Sequence, residues 1–123
     1  MELTNAEEQI MQILWRIEKG FIKDIMEYFD DPKPAYNTIS TIVRIMEKKG
    51  FVGHKAYGNS HQYYPLISKK EYTRNSLSKL AENYFGNSLH DLVSFFSENN
   101  KLTVQEIDEM IRMLNDLKTR NHE

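Results

Sequence analysis

The chain of 123 residues is the size of one domain, or of a small domain with an appendage, and 40% of its residues are hydrophobic. It contains no cysteine, which excludes disulfides, thiol nucleophiles and thiolate metal sites. The net charge of −2 excludes a uniformly basic surface, but it leaves room for a local basic patch that binds nucleic acid.

The first predicted helix lies near the N-terminus, in the segment LTNAEEQIMQILWRIEKG. Thr4 and Glu7 have the spacing of a capping box, and Gly20 ends the helix. Its apolar residues recur at helical spacing as Ile10, Met11, Leu14 and Ile17.

Targeting and membrane segments are not evident in the sequence. The N-terminus lacks the basic start and the apolar run of a signal peptide. No apolar run approaches the roughly 18 residues of a membrane helix. We therefore expect a cytoplasmic protein without direct membrane insertion.

Two further helices are predicted before residue 51. A short second helix is predicted in FIKDIMEYF, before the breaker DDPKP. The third is predicted in AYNTISTIVRIMEKKGF, where Gly50 closes it. Five residues gather on one side of this third helix and predict contact with a core, namely Tyr36, Ile39, Ile42, Val43 and Met46.

The other side of the third helix is rich in polar groups. Hydroxyl, amide and basic side chains occur there at Asn37, Thr38, Ser40, Thr41, Arg44 and Lys48. Asn and Thr form helix interiors poorly, because their side chains compete for backbone hydrogen bonds. Asn, Thr and Arg side chains can instead hydrogen-bond to base edges, and Arg also binds phosphate. The alternative is a solvent-exposed face whose hydroxyls bond back to the helix.

A β-hairpin is predicted after the third helix. The strands FVGHKA and HQYYP are joined by YGNS, whose Gly58 and Asn59 tolerate the positive φ of a hairpin turn. Three helices and a hairpin follow the order of a winged helix-turn-helix, in which the third helix enters a major groove. Residues 33–61 contain five basic residues and one acidic residue. We expect Thr38, Thr41 and Arg44 to read the major groove, and Lys48, Lys55 and Asn59 to approach the DNA backbone.

Three more helices are predicted from residue 66 onward, with capping residues at Ser68 and Thr103. A helical array of this size buries too little surface to be stable alone. The residues that we expect to pack against a second copy are Leu77, Leu80, Tyr84, Leu89, Leu92, Val93, Phe96, Ile107, Met110, Ile111 and Leu114. The alternative is that these helices fold back on the first domain as an ordinary core. Recognition of palindromic DNA requires two copies of the DNA-binding domain at a defined separation, which favours dimerisation.

The predicted fold is therefore mainly α with a small β-hairpin. A winged-helix DNA-binding domain is predicted at residues 1–65, and a three-helix dimerisation region at residues 66–123.

Several short patterns along the chain are specific when they are taken together. In the first helix they comprise Leu3, Thr4, Ala6, Glu7, Ile10, Met11, Leu14 and Trp15. In the third helix and the hairpin they comprise Tyr36, Asn37, Thr38, Ile39, Thr41, the EKKG at 47–50, Gly58, Tyr63 and Pro65. SKKEY at 68–72 and FGNS at 85–88 complete the set. Over nearly the entire chain the sequence resembles the penicillinase repressors of bacteria, the BlaI/MecI family.

The resemblance implies a homodimeric repressor whose winged helices bind a twofold-symmetric operator in double-stranded DNA. It also implies release by proteolysis in the dimerisation region, with a membrane sensor protease as a further partner. Relatives are cut between Asn and Phe, and the corresponding bond here joins Phe95 to Phe96. Two positions that are often Arg in relatives are Asn59 and Ile45, which removes two candidate phosphate contacts.

Catalysis and metal binding fit the sequence less well. Asp30 and Asp31 lie beside a breaker, and the chain has no Gly-rich phosphate loop or nucleophile motif, so we do not expect an enzyme. A zinc site at His54 and His61 would lack a third ligand, and two such histidines are more typical of surface or phosphate-contacting residues. We expect neither a metal nor a cofactor.

Two binding alternatives remain. Trp15, Met46 and the Tyr63–Tyr64 pair could form a ligand pocket, but their spacing is more typical of a core. A winged helix that binds a protein rather than DNA is the more serious alternative, and the pI of about 6.1 favours it. Salt distinguishes the two, because duplex binding through several phosphates weakens steeply as the salt concentration rises.

Overall fold

The structure, a computed structural model, describes residues 2–121. The helices of this part are α1 (Asn5–Ile17), α2 (Ile22–Met26), α3 (Tyr36–Lys48), α4 (Lys69–Phe85), α5 (Leu89–Asn99) and α6 (Val104–Arg120). Strands β1 (Val52–Tyr57) and β2 (Ser60–Pro65) form an antiparallel hairpin between α3 and α4. The predicted mainly α fold with a small hairpin is confirmed. The chain divides into two compact units, residues 1–76 and residues 77–123.

The core of the first unit is built from one side of each of its first three helices and from the hairpin. The capping box at Thr4 and Glu7 starts α1 as predicted. The buried hydrophobic side chains are Ile10, Met11, Ile13, Leu14, Ile22, Ile25, Ile39, Val43, Met46, Phe51, Val52 and Tyr63. Burying an aliphatic side chain of this size stabilises a fold by about 1.5–3 kcal/mol.

Helix α3 matches its predicted core-facing side in part. Ile39, Val43 and Met46 are buried, and Ile42 is half-buried against the same core. Tyr36 was expected on that side but is 49% exposed. It is the first residue of the helix, where the chain enters from the exposed residues that precede it.

Helix α2 is shorter than the predicted nine-residue segment. The carboxylate of Asp24 accepts a hydrogen bond from the N–H of Phe21 at its start (2.8 Å). At its end Tyr28 N–H bonds to Ile25 O, a tighter spacing than that of an α-helix. The Lys33 ammonium donates to the carbonyls of Met26, Glu27 and Phe29 at 2.8–3.3 Å. Lys33 therefore satisfies carbonyls that the short helix leaves open.

The hairpin is joined to the helical part of the first unit through the outer edge of β2. Its register pairs His54 with Tyr63 and Ala56 with His61, with Gly58 at positive φ in the turn. On its outer edge, Gly20 and Tyr63 exchange two backbone hydrogen bonds of 2.8 and 2.9 Å. The connection between α1 and α2 thus forms a single β-bridge to β2, which anchors the wing.

The first unit extends beyond the hairpin into the start of α4. The indole N–H of Trp15 donates to the carbonyl of Ile67 (2.9 Å), and the Trp15 ring packs against Tyr72 at 5.6 Å between centroids. Tyr72 also meets the ring of Phe51 edge-on. These contacts explain why the compact unit ends at Ser76, whereas the predicted domain boundary coincides with the end of β2.

Local signals define the helices of the second unit. The hydroxyl of Ser88 accepts a hydrogen bond from Asp91 N–H and caps α5, and Thr103 with Glu106 forms the predicted capping box of α6. Ser68 caps α4 through Glu71 N–H (3.0 Å). No described residue of α4, α5 or α6 is fully buried. The apolar stripes of these helices are therefore exposed in the single chain.

A charged contact connects the first and third helices of the first unit. Glu7 is 3% exposed, and its carboxylate accepts hydrogen bonds from the Lys49 ammonium (2.7 Å) and from Thr4 N–H (2.8 Å). Burial raises the pKa of Glu7, but the bonds from Lys49 and Thr4 outweigh burial and lower it overall. This contact ties the start of α1 to the end of α3.

We expect Glu7→Gln to lower the free energy of unfolding by about 1–3 kcal/mol at neutral pH, because Gln keeps the acceptor for Thr4 but loses the charge that binds Lys49. The lowered pKa means that wild type loses this stabilisation as pH falls below the ordinary carboxyl value of 4.5. The difference between the two proteins should therefore shrink in acid. Chemical denaturation from pH 7 to pH 3 measures it.

The neighbouring exposed carboxylate provides a matched control, Glu8→Gln, which should change the stability little. An equal loss in both variants, or a Glu7→Gln difference that is constant down to pH 3, would contradict the assignment.

Candidate nucleic-acid interface

The polar side of α3 points away from the core. Burial of Ile39, Val43 and Met46 fixes the rotation of the helix, and the opposite side must then face solvent. The predicted contact residues on this face are exposed at Asn37, Thr38, Thr41, Arg44 and Lys48, and half-buried at Ser40. The structure thus brings all six onto the accessible part of one helix.

Thr41 makes the hydrogen bond back to its own helix that is expected of a merely solvent-exposed face. The Thr41 hydroxyl donates to the carbonyl of Asn37 one turn earlier (2.8 Å). Its hydrogen is thereby engaged, while its methyl group and its oxygen lone pairs are available to a partner. Thr41 in this conformation can accept a hydrogen bond or pack its methyl group, but it cannot donate.

The wing presents its basic residue together with an aromatic ring. Lys55 is exposed on β1, and its ammonium lies 5.3 Å from the centroid of the Tyr57 ring. Tyr57 packs edge-on against Phe21 at the start of α2. Asn59 is exposed in the turn. The turn end of the wing is therefore supported from the start of α2, while Lys55 and Asn59 remain accessible.

A groove of about 460 Å³ lies between α3, the start of α2 and the wing. Its walls carry polar and aromatic side chains and charges of both signs, and they are formed by Phe21, Ile22, Lys23, Asp24, Tyr36, Ser40, Arg44, Tyr57, Asn59, Ser60, His61 and Tyr63. Of the predicted contact residues, Ser40, Arg44 and Asn59 line it. The groove thus connects the polar face of α3 with the wing, which the sequence predicted as two separate contact surfaces.

Sequence reasoning missed Tyr36 and Tyr57 as members of this surface, and it considered His61 as a surface or phosphate-contacting residue without placing it in the groove. His61 lies two residues before the buried Tyr63 on β2, and alternation along the strand puts both on the face toward α3. That signal depends on the hairpin register, which follows from a two-residue turn at Gly58 and Asn59. The predicted strands differed from the observed ones by one residue at their ends.

Charged and aromatic groups meet where α3 packs against the wing. His54 Nδ1 contacts the Glu47 carboxylate, and the rings of His54 and His61 stack at 4.1 Å between centroids. Burial raises the pKa of Tyr63, the Glu47 carboxylate raises it further, and Arg44 partly offsets both. Within residues 2–121, no group of three or more His, Cys, Asp and Glu side chains is placed to hold a metal ion.

Three of the residues considered for a ligand pocket belong to the core. Met46 and Tyr63 are fully or almost fully buried, and Trp15 packs partly buried against the same cluster. Tyr64 differs, because it lies on the other face of β2 and is 38% exposed.

The second unit carries an apolar surface rather than a polar one. Nine of the eleven predicted dimerisation residues are exposed, and Leu92 and Met110 are half-buried. A concavity of about 620 Å³ is lined by Leu80, Tyr84, Phe85, Leu92, Phe95, Phe96 and Asn100. Both side chains at the predicted cleavage bond, Phe95 and Phe96, are more than half exposed in the single chain. Among the described helices, none is long and apolar enough to span a membrane.

Comparison with known proteins matches nearly the whole chain. Residues 3–116 match the family model described as penicillinase repressor. The methicillin resistance regulatory protein MecI of Staphylococcus aureus (strain N315) is 27% identical over 115 residues, which cover 93% of this chain and 94% of that protein. The penicillinase repressor of Bacillus licheniformis is 24% identical over 123 residues, covering 99% of this chain and 96% of that protein.

One solved structure, the solution structure of the DNA binding domain of the repressor BlaI, has a similar fold. It aligns with a TM-score of 0.50 over 58% of this chain and 88% of that chain, at 22% identity. At this identity the likeness concerns the fold alone, and the shared fold is a winged helix.

Proposed function

The chain belongs to the penicillinase repressor family, and from this we propose that it is a transcriptional repressor that binds double-stranded DNA through α3 and the hairpin wing. The observation that carries the proposal is the exposed hydrogen-bonding face of α3, held outward by the buried side of the same helix. An α-helix fits the major groove of B-form DNA, where each base pair offers a distinct pattern of donors and acceptors.

Base readout is assigned to the middle of this face. Thr38 and Thr41 present methyl groups and oxygen acceptors, and Arg44 can place its guanidinium on a guanine. Asn37 and Ser40 lie beside them and can donate or accept. The inward bond of the Thr41 hydroxyl favours a methyl contact, with thymine as its natural partner.

Backbone contacts are assigned to the edges of the surface. Lys48 lies at the end of α3, and Lys55 and Asn59 lie on the wing. Lysine ammonium groups bind phosphate without reading sequence, so these contacts set the position of the helix in the groove. Asn59 contributes a hydrogen bond where many relatives would contribute a charge.

The second unit is proposed to form a homodimer through its exposed apolar stripes. Leu77, Leu89, Ile111 and Leu114 are each more than half exposed, which is unfavourable in water unless a partner covers them. A second copy presents the same stripes, and a twofold pair of chains matches a twofold-symmetric operator. Two linked DNA-binding domains also bind more tightly than one, because binding of the second half-site becomes intramolecular.

Release by proteolysis is the proposed switch, with a membrane sensor protease as the partner that starts it. Cleavage of the Phe95–Phe96 bond would divide α5 and break the apolar surface of the dimer. The two DNA-binding domains would then separate and lose their joint affinity for the operator.

Alanine variants test the assignment of base and backbone contacts. We expect Arg44→Ala to cost about 1–3 kcal/mol on the matched duplex and to relax the preference at one base pair, because a bidentate base contact is lost. Lys48→Ala should weaken all duplexes alike and reduce the salt slope by about one. Titrations at several salt concentrations, on matched and mutated duplexes, measure both effects.

Lys101→Ala, which removes one exposed positive charge from the second unit, is the matched control and should bind like wild type. Equal losses on every duplex for Arg44→Ala would remove its role in base readout. Binding that is insensitive to salt would favour a protein-binding winged helix instead.

Truncation tests the role of the second unit. We expect a chain that ends at Ser76 to be a folded monomer with weak, poorly specific DNA binding, because it keeps the core of the first unit and its Tyr72 contacts. The full chain should be a dimer at micromolar concentration. Light scattering measures both masses, and a full-length monomer under these conditions would contradict the proposal.

Two point variants separate the stripe from the rest of α6. Leu114→Glu puts a charge into the exposed apolar stripe and should dissociate the dimer, whereas Asn115→Glu, one residue away, should not.

Mass spectrometry of the repressor from cells exposed to the inducing signal tests release. The expected products are two fragments that meet within α5, at or beside the Phe95–Phe96 bond. An intact chain in cells whose target genes are fully expressed would reject proteolysis.

A further inference from the structure

The stacked histidines of the wing are not used by the proposed readout of bases. His54 and His61 lie diagonally across the hairpin, with ring centroids 4.1 Å apart and ring planes within 8° of parallel. His61 lines the groove between α3 and the wing. His54 is stacked on it and contacts the Glu47 carboxylate from α3, with both of these side chains 32% exposed.

The charges around the pair come from every element that packs on it. From α3, Glu47 contacts His54, and Arg44, which interacts with Tyr63, lines the same groove as His61. From β2, the ring of Tyr63 lies near both histidines, at 5.8 and 6.1 Å. Lys55 follows His54 on β1, so its side chain lies on the opposite face of the strand. Lys23 and Asp24 from α2 line the same groove.

Glu47 contacts His54, whereas the Asp24 carboxylate in the groove wall accepts a hydrogen bond from Phe21 N–H. One carboxylate is therefore engaged with the two imidazoles. Histidine changes its charge between about pH 5 and pH 8. Glu47 can compensate one imidazolium, through its contact with His54. A second positive charge 4.1 Å away would be repelled by the first unless another anion lay next to His61. The groove has room for such an anion, with Arg44 and Ser60 in its wall.

We propose that a phosphate of the DNA backbone binds in the groove between α3 and the wing, and that its binding is coupled to protonation of the His54–His61 pair. This inference rests on the proposed function and adds to it a defined backbone site and a dependence on pH. The phosphate provides the second counter-charge, so DNA binding favours the doubly protonated pair. Thermodynamic linkage makes the effect reciprocal, and acid therefore strengthens DNA binding.

Operator affinity of the full chain should consequently rise as the pH falls from 7.5 to 6.0 at constant ionic strength. Each coupled proton changes the affinity by at most about tenfold per unit of pH. We expect a gain of about tenfold or more for a dimer with two wings. The doubly substituted variant His54→Gln, His61→Gln should lose most of this gain, while His90→Gln, which removes an exposed histidine from α5, should keep it.

The variant Glu47→Gln distinguishes proton coupling from a structural role of the pair. Without the carboxylate, the first imidazolium loses its counter-charge, so the pH-dependent range should move to lower pH while the gain persists. A histidine pair that only packed the wing would show no such movement.

Two measurements use the wild-type chain and do not depend on the folding of variants. Calorimetric titration of the duplex at pH 6.5, in two buffers of different protonation enthalpy, should show net proton uptake on binding. Duplexes with a single neutral methylphosphonate at successive backbone positions should identify one position per half-site where both affinity and proton uptake fall.

The outcomes distinguish failure of the proposed DNA-binding function from failure of the coupling between phosphate binding and protonation. Failure to bind any duplex at any pH would overturn the proposed function. Salt-dependent duplex binding with no proton uptake, and with the same pH profile in wild type and the double histidine variant, would overturn this inference alone.

Discussion

The buried side of α3 is the constraint on which the rest of the structure depends. Ile39, Val43 and Met46 pack into the core formed by the helices and the hairpin, and this packing fixes the rotation of α3 about its own axis. A helix fixed in this way has only one face left for a partner. Because that face carries Thr38, Thr41 and Arg44, the hydrophobic effect in the core determines which groups are available to a partner.

Other contacts hold the position of the helix at both ends. The Glu7–Lys49 pair ties the end of α3 to the start of α1, and Lys33 closes the end of α2 shortly before α3 begins. On the wing side, Gly20 pairs with Tyr63, so the hairpin is fixed to the connection between α1 and α2. The groove is formed where these separately anchored elements meet, so its residues have defined positions.

Much of the fold could be predicted from the sequence, because its signals are local. The capping residues Thr4 and Thr103 and the turn at Gly58 each act within a few residues of the chain. The placement of Tyr36 was wrong, since helical periodicity does not tell where a helix enters the core. The Glu7–Lys49 pair and the bond from Trp15 to Ile67 join residues 42 and 52 positions apart, and no local pattern marks them.

The candidate site was predictable to a similar extent. The polar face of α3 follows from spacing alone, and its exposure agrees with the prediction. The groove and the stacked histidines depend on the register of the hairpin. A shift of one residue would turn the side chains of a strand to the opposite face. The roles of the surface residues in DNA binding, and of the apolar stripes in dimerisation, remain proposals.

Selection of bound duplexes from a random pool by the full chain would show whether the protein recognises a twofold-symmetric operator. We expect enrichment of a twofold-symmetric motif, with half-site centres separated by about one helical turn of DNA or a multiple of it. A pool that shows no enriched motif after repeated rounds of selection would contradict this expectation.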